Sequence, residues 1–428
     1  MKIQITSKMR RSGAALLLLS GLAAALGAQE IPHEYVDYAI ASPAAVKPFE
    51  KVDPKAAGID PAALERLVKR AEETHSDSLV ILKDGKLVGE WRFGKPAEPI
   101  EVMSVTKSVV NLAIGRLVET KKIESIDLPV ATFYPEWKGT PKEKILIRHL
   151  LDHTSGLAAD RNAMEVYQSK DVVRLALDAA PFKEPGTEFF YNNKATNLLA
   201  GIVEKASGRK LDEYLRDELF VPLGVTRFSW MRDSAGNPHG MAGLKLDALD
   251  LAKIGQLMLD QGMFQGSQGK RLLSPEWVAA STRPAQQIQP GCGLLWWVRS
   301  EWSKVEITPE VLAAWRQGGA DPAFLDKLAP LVGKPLPQED LAPQLDKIFG
   351  PGQGLLAYAE NVANKRLPLP KPTRGPQIGF AANGHLGQHV QVLTGPRIVA
   401  VRQIRHESYK GEADGFEDFG KLVKELVP

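Results

Sequence analysis

The sequence predicts an α+β fold: an antiparallel sheet flanked by helices, built from both ends of the chain, with an all-helical domain inserted between them. Three observations carry this prediction. Asp84-Gly85 separates two short strand-like runs, 78–83 and 86–93, the signature of a tight hairpin. The stretch 121–275 is helical in character almost throughout. Strand character then returns at 293–298, 388–393 and 397–403, before a last amphipathic helix at 416–426. A chain of 428 residues holds two or three domains of about 100–200 residues each, enough for a sizeable core.

The first 28 residues stand apart. Lys2, Lys8, Arg10 and Arg11 form a positive start, and Gly13 to Leu26 is an apolar stretch ending in small residues. This pattern predicts a secretory signal peptide cleaved near Ala28. A spanning helix needs about 20 apolar residues, so no stable membrane anchor is expected after cleavage. The net charge is +3, but four basic and no acidic residues fall in the leader, so the rest of the chain is close to neutral. Nothing in this balance points to nucleic-acid binding. The single cysteine, Cys292, has no disulfide partner within the chain and reads as a core residue on a strand. The expected address is periplasmic or extracellular.

An irregular, proline-rich stretch is expected up to Ala57. Asp60-Pro61 then opens a helix with a cap and a proline in its first turn, and Leu64, Leu67, Val68 and Ala71 share one face. The hairpin follows, and after it a helix entered at Ser104. Helices are expected at 171–179, 197–206, 211–220 and 249–259, and Ser274-Pro275-Glu276 begins another. The resulting division is an α/β domain from 50–120 and 276–428, and a helical domain from 121–275. Residues 303–374 interrupt the first with short helices at 309–316, 321–331 and 338–349. So long a connection is either a lid over the cleft or an inert surface addition, and the sequence leaves both open.

Ser104-Val105-Thr106-Lys107 lies at the mouth of a nearly all-apolar helix. Residues three apart on a helix share a face, so the Ser104 hydroxyl and the Lys107 amine point the same way. A serine hydroxyl is a weak nucleophile without a base beside it. A helix that is apolar on every side is normally buried, and a lysine removed from water becomes a better base. Tyr191 and Asn193, in Tyr191-Asn192-Asn193 just before a helix, offer a phenol that relays a proton and an amide that positions the lysine and a substrate carbonyl. No G-x-S-x-G elbow occurs in the chain. His149 with His153, and His385 with His389, have metal-ligand spacing, yet no glutamate or cysteine set completes either site. The His153-Thr154-Ser155-Gly156 segment is instead expected to be a turn that buttresses the cleft. On the strand at Trp296-Trp297, one ring is expected in the core and the other at the pocket.

Four ordered segments, Ser104-x-x-Lys107, Leu150-Leu151-Asp152-His153-Thr154-Ser155-Gly156-Leu157, Pro185-Gly186-Thr187…Tyr191-Asn192-Asn193 and Gly384-His385-Leu386-Gly387-Gln388, resemble the serine hydrolases related to class C β-lactamases. That group includes penicillin-recognising enzymes, D-amino-acid peptidases, oligoamide hydrolases and carboxylesterases. The resemblance covers about residues 50–300 and 377–428 and implies a β-lactamase/transpeptidase-like fold. It implies Ser104 as nucleophile, Lys107 and Tyr191 as a coupled acid/base pair, and Asn193 as a polar positioner. The backbone N–H groups of Ser104 and Gln388 would form the oxyanion hole, and His385, Gly387, Trp296 and Trp297 would contact substrate.

The third segment departs from the penicillin-interactive pattern: His385-Leu386-Gly387 stands where Lys-Thr-Gly is expected. A neutral histidine and a leucine bind a drug carboxylate poorly, which leaves β-lactam hydrolysis as a weak side activity at most. The resemblance favours a carboxylesterase-like hydrolase of small esters. The alternatives are an amide, D-peptide or oligoamide hydrolase, or a penicillin-recognising protein without turnover. The expected partner is a small-molecule ester or amide; no cofactor and no metal are expected, and the oligomeric state is open.

Overall fold

The computed structural model describes residues 33–41, 46–160, 162–264, 271–365 and 367–427; the predicted leader lies outside them. Two compact units emerge: Ser300–Gln377 forms one, and Glu30–Arg299 with Ile378–Pro428 forms the other.

The larger unit contains strands β1 (His33–Ala39), β2 (Ser78–Lys83), β3 (Lys86–Trp91), β4 (Ile100–Glu101), β5 (Arg227–Asp233), β6 (Leu244–Leu246) and β7 (Trp297–Ser300). The smaller unit adds β8 (Ser303–Val305), β9 (Leu336–Pro337) and β10 (Thr373–Arg374). The chain then returns through β11 (Gln377–Gly384), β12 (Gln388–Leu393) and β13 (Ile398–Gln403). A six-stranded sheet runs β3-β2-β13-β12-β11-β7. The ladders resolved within it, from β11 through β12, β13 and β2 to β3, are antiparallel.

Side chains on a strand alternate between faces, and this sheet buries both. Leu79, Ile81, Ile398 and Ala400 pack with Leu64 and Leu67 of α1 (Pro61–Glu73) and with Phe419 and Val423 near the C-terminus. Val80, Leu82, Val399 and Val401 face the other way, toward Val109 of α2 (Val105–Glu119). The α1 helix starts as its sequence dictates: Asp60 accepts the Ala62 N–H and Pro61 occupies the first turn. Twelve of the fifteen residues of α2 are buried, as an all-apolar helix requires.

The helical block contributes α3 (Ile147–Leu151), α4 (Ala163–Tyr167), α5 (Val172–Leu177), α6 (Asn193–Ser207), α7 (Leu211–Leu215), α8 (Ala248–Leu259) and α9 (Pro275–Thr282). It is not all-helical. β5 and β6 fall inside it and form a second sheet of order β1-β5-β6-β4. The segment before Ala57, expected to be irregular, supplies β1, whose seven residues pair with β5 from His33↔Asp233 to Ala39↔Arg227. The partners of β1 and β4 lie far along the chain, His33 opposite Asp233 and Ile100 opposite Leu246, so local pattern gives little sign of them.

The unit Ser300–Gln377 has its own core, centred on Trp315, Phe324, Leu325, Leu328, Leu345 and Val362. Its main helices, Pro309–Gln317, Pro322–Leu328 and Leu341–Phe349, lie close to the sequence expectation. A three-stranded sheet, β10-β8-β9, completes it.

Three histidines in the larger unit are held neutral. Burial pushes the imidazoles of His153 and His239 down to about 3, and that of His389 down to about 4. An unfolded histidine titrates near 6.5, so between those values the unfolded chain binds more protons and acid favours unfolding. Burial raises the Asp152 carboxyl to about 6 and acts in the opposite sense over part of the range. Burial also lowers the His149 and His385 imidazoles and raises the Glu101 and Asp250 carboxyls. With five histidines against three carboxyls, the thermal midpoint is expected to fall between about pH 6.5 and pH 4, read by scanning calorimetry.

Candidate active site

Ser104 sits where β4 meets α2. Met103 before it adopts φ 49°, a left-handed turn that is costly for an L-residue and folds the chain sharply into the helix. Ser104 occupies the N-cap position but makes no side-chain capping bond, so its hydroxyl is free for other partners. Lys107 is 2% exposed, one turn along the same face. Its Nζ donates to Ser104 Oγ at 3.2 Å and to the Met241 carbonyl at 2.8 Å. The second anchor lies 134 residues away and fixes an otherwise flexible amine.

Tyr191 completes the group. Lys107 Nζ stands 4.8 Å from the Tyr191 ring centroid. The ring stacks on Trp297 at 6.2 Å and 15°, and leans on His153 at 4.6 Å and 39°. Ser104, Lys107, Ser108, His153, Tyr191, Cys292, Leu295 and Trp297 line one small pocket. Ser108 Oγ donates to the Leu295 carbonyl at 2.6 Å, tying the serine helix to the turn that presents Trp297.

His153 is enclosed on all sides. Burial and then the Lys107 charge hold its imidazole near 3, so the ring is neutral. Cys292 makes an isolated antiparallel bridge to Trp297 rather than lying within a strand. It is 1% exposed, and burial pushes its thiol up to about 12. Such a thiol is inert as a nucleophile.

Several expected placements differ in the structure. The Asn193 amide does not reach Lys107: Nδ2 donates to Asp160 Oδ2 at 3.0 Å, and its backbone N–H to Asp160 Oδ1 at 3.1 Å. Met241 takes the lysine instead. Trp296 is 1% exposed and packs edge-on against Phe380 at 5.5 Å, so it belongs to the core and is closed to substrate. Trp297 is the ring at the pocket.

Gln388 cannot supply the second oxyanion donor. Thr394 N–H bonds the Ile378 carbonyl at 3.0 Å, and antiparallel pairs alternate between bonded and non-bonded. That phase makes Gly384↔Gln388 a bonded pair and directs the Gln388 N–H at the Gly384 carbonyl. β12 is also interior, flanked by β11 and β13, and the Gln388 side chain is bound to Ile404.

The backbone that closes on the nucleophile turn belongs to Gly384. A Cβ there would lie 2.4 Å from the Val102 carbonyl oxygen and 3.0 Å from Met103 Cβ, so only glycine permits the approach. In the same alternation, the His385 N–H points outward from β11, away from β12. His385 itself is exposed.

Gly387 faces away from the nucleophile turn. It holds φ 88°, and a Cβ would strike Arg402 Nη1 at 2.6 Å and the Gly415 carbonyl at 2.5 Å. It shapes the turn rather than touching substrate. Arg402, which sequence reasoning missed, is fully buried and clamps that turn. Nη1 donates to the Leu386 and Gly387 carbonyls at 3.0 and 2.9 Å. Nη2 reaches the Thr74 carbonyl at 2.7 Å, and Nε reaches Ser76 Oγ at 2.8 Å. Burial lowers this guanidinium to about 10, opposed by the more distant charges of Asp414 and Asp77.

Arg402→Met would leave three buried carbonyls without a donor. At about 1–3 kcal/mol for each unsatisfied group, a loss of at least about 3 kcal/mol is expected in urea unfolding. An unchanged midpoint would remove the clamp from the account.

Comparison with known proteins bears on this geometry. A family model described as Beta-lactamase matches residues 64–325. A curated relative, the 6-aminohexanoate-dimer hydrolase of Paenarthrobacter ureafaciens, is 29% identical over 237 residues, 50% of this chain and 59% of that protein. The match thus spans less than two thirds of that relative. A solved structure from Bacillus anthracis superposes with a TM-score of 0.63 at 17% identity. It covers 92% of this chain and 90% of its own. A class C β-lactamase mutant superposes at 0.55 and 15% identity over 85% and 97% of the two chains. Both structures share the fold.

Proposed function

The chain belongs to the β-lactamase family of serine hydrolases, and from that premise we propose that it hydrolyses small esters or linear amides through an acyl-enzyme on Ser104. The observation that carries the reading is the Lys107 Nζ–Ser104 Oγ contact at 3.2 Å, beside Tyr191 in one pocket. Ser104 Oγ attacks the carbonyl carbon, and its proton passes to the Lys107–Tyr191 pair. The pair gives that proton to the departing alcohol or amine as the carbon–heteroatom bond breaks. Water then attacks the acyl-enzyme, loses a proton to the same pair, and the carboxylic acid leaves as Ser104 regains its hydrogen. The Ser104 N–H and the outward N–H of His385 stabilise the oxyanion; one such donor is typically worth about 10²–10³ in turnover.

The expected chemistry is that of a carboxylesterase, and the 29%-identical dimer hydrolase supports linear amides as the second class. With His385 and Leu386 in place of a lysine and a threonine, turnover of β-lactams is expected to be minor. The leader read from the first 28 residues supports action outside the cytoplasm.

A panel of p-nitrophenyl esters, D-aminoacyl amides, linear oligoamides and nitrocefin, run beside Ser104→Ala, tests the reading. Serine-dependent turnover of an ester or a linear amide supports it. A permanent adduct, with no product from any member of the panel, would instead mark a binding protein.

A further inference from the structure

We propose that His153 is the positioning residue for Tyr191: its imidazole and its backbone carbonyl hold the segment 190–192 so that the tyrosine ring lies against Lys107. This rests on the acyl-enzyme reading above, because Tyr191 matters only if the pair moves protons.

Three contacts converge on His153. Its backbone carbonyl accepts the Phe190 N–H at 2.9 Å, on one side of Tyr191. Its Nδ1 accepts the Asn192 N–H at 3.3 Å, on the other side. Its ring lies 4.6 Å from the Tyr191 ring, with Phe189 edge-on at 5.8 Å. The tyrosine is therefore bracketed by two backbone bonds to one residue. Beyond that bracket, Asn192 Nδ2 donates to the Leu157 carbonyl, and its Oδ1 caps α6 at the Ala195 N–H. The loop before Tyr191 is long, and His153 carries both bonds nearest the phenol.

The acceptor role requires an unprotonated Nδ1, since an imidazolium has only donors. Deep burial beside the Lys107 ammonium keeps it so. The remaining ring proton then belongs on Nε2. His153 also holds φ 59°, a conformation that asparagine adopts more readily than most residues and glycine adopts freely.

These preferences set the test. His153→Gly removes ring and acceptor without backbone strain, and His153→Asn restores an acceptor near the position of Nδ1. On the best ester of the panel, His153→Gly is expected to lower kcat by about 10²-fold with KM within about threefold. His153→Asn is expected to recover at least about tenfold of that loss. If the glycine variant does not fold, His153→Phe, a ring without an acceptor, replaces it in the comparison with asparagine. Wild-type kcat in the acceptor-free variant, or an asparagine variant no better than it, would overturn the proposal. A wild-type protein inert on the whole panel would instead overturn the acyl-enzyme reading, which keeps the two failures distinguishable.

Discussion

Ser104→Ala is expected to abolish ester turnover, by about 10⁴-fold or more, while leaving the fold intact. The two halves of this expectation have separate grounds. Loss of the nucleophile removes the hydroxyl that Lys107 contacts, and members of such a unit do not compensate for one another. The fold survives because the Ser104 side chain makes no capping bond to α2, and the residue is only half-buried. Removing such a hydroxyl is expected to shift stability by about 0.5 kcal/mol or less. Lys107 keeps its bond to the Met241 carbonyl. Retained hydrolysis in a folded Ser104→Ala protein would end the assignment.

The second large effect concerns the pair that activates the serine. Lys107→Met fills the same space without an amine, and Tyr191→Phe keeps the ring that stacks on Trp297 and leans on His153. Each is expected to lower kcat by about 10²–10⁴-fold, the usual worth of a positioned acid or base. The phenylalanine variant is the sharper probe, because every ring contact remains and only the hydroxyl is gone. Its thermal midpoint is expected to match wild type. Lys107→Met leaves the Met241 carbonyl without its donor, so a cost of about 1–3 kcal/mol accompanies the kinetic loss. The double variant is expected to be hardly worse than the more damaging single one, since the two groups act as a unit. Steady-state kinetics on one aryl ester reads all three. A double variant showing the full product of the two losses would separate the residues into independent roles.

The parts of this molecule written in local pattern were legible from sequence. Asp60-Pro61 begins α1, Asp84-Gly85 turns β2 into β3, and the apolar run after Ser104 becomes the buried helix α2. The one-turn spacing of Ser104 and Lys107 fixes their contact, because helix geometry allows little else. What escaped depends on partners far along the chain. β1 and β5 read as irregular and helical segments because β1 is a strand only against β5, whose residues lie nearly 200 positions away. The Met241 carbonyl that anchors Lys107 carries no side-chain signal at all.

Asn193 stands in the expected position, yet Asp160 competes for its amide, and no spacing rule weighs that competition. The oxyanion assignment failed for a subtler reason. Gln388 follows the third segment in sequence, but a strand residue points its N–H to one edge only, and ladder phase sends this one inward. Arg402 reads as a polar residue on a strand. Only the structure reveals that its four bonds replace a carboxylate partner and shape the turn before Gln388.

The central claim is that Ser104 is a nucleophile because Lys107 lies beside it. Its most direct measurement is labelling by a fluorophosphonate, with the modified residue mapped by peptide mass spectrometry and the rate followed over time. A single adduct on Ser104, forming much more slowly in Lys107→Met, is the expected result. An adduct on any other residue, or an equal rate in Lys107→Met, would contradict it.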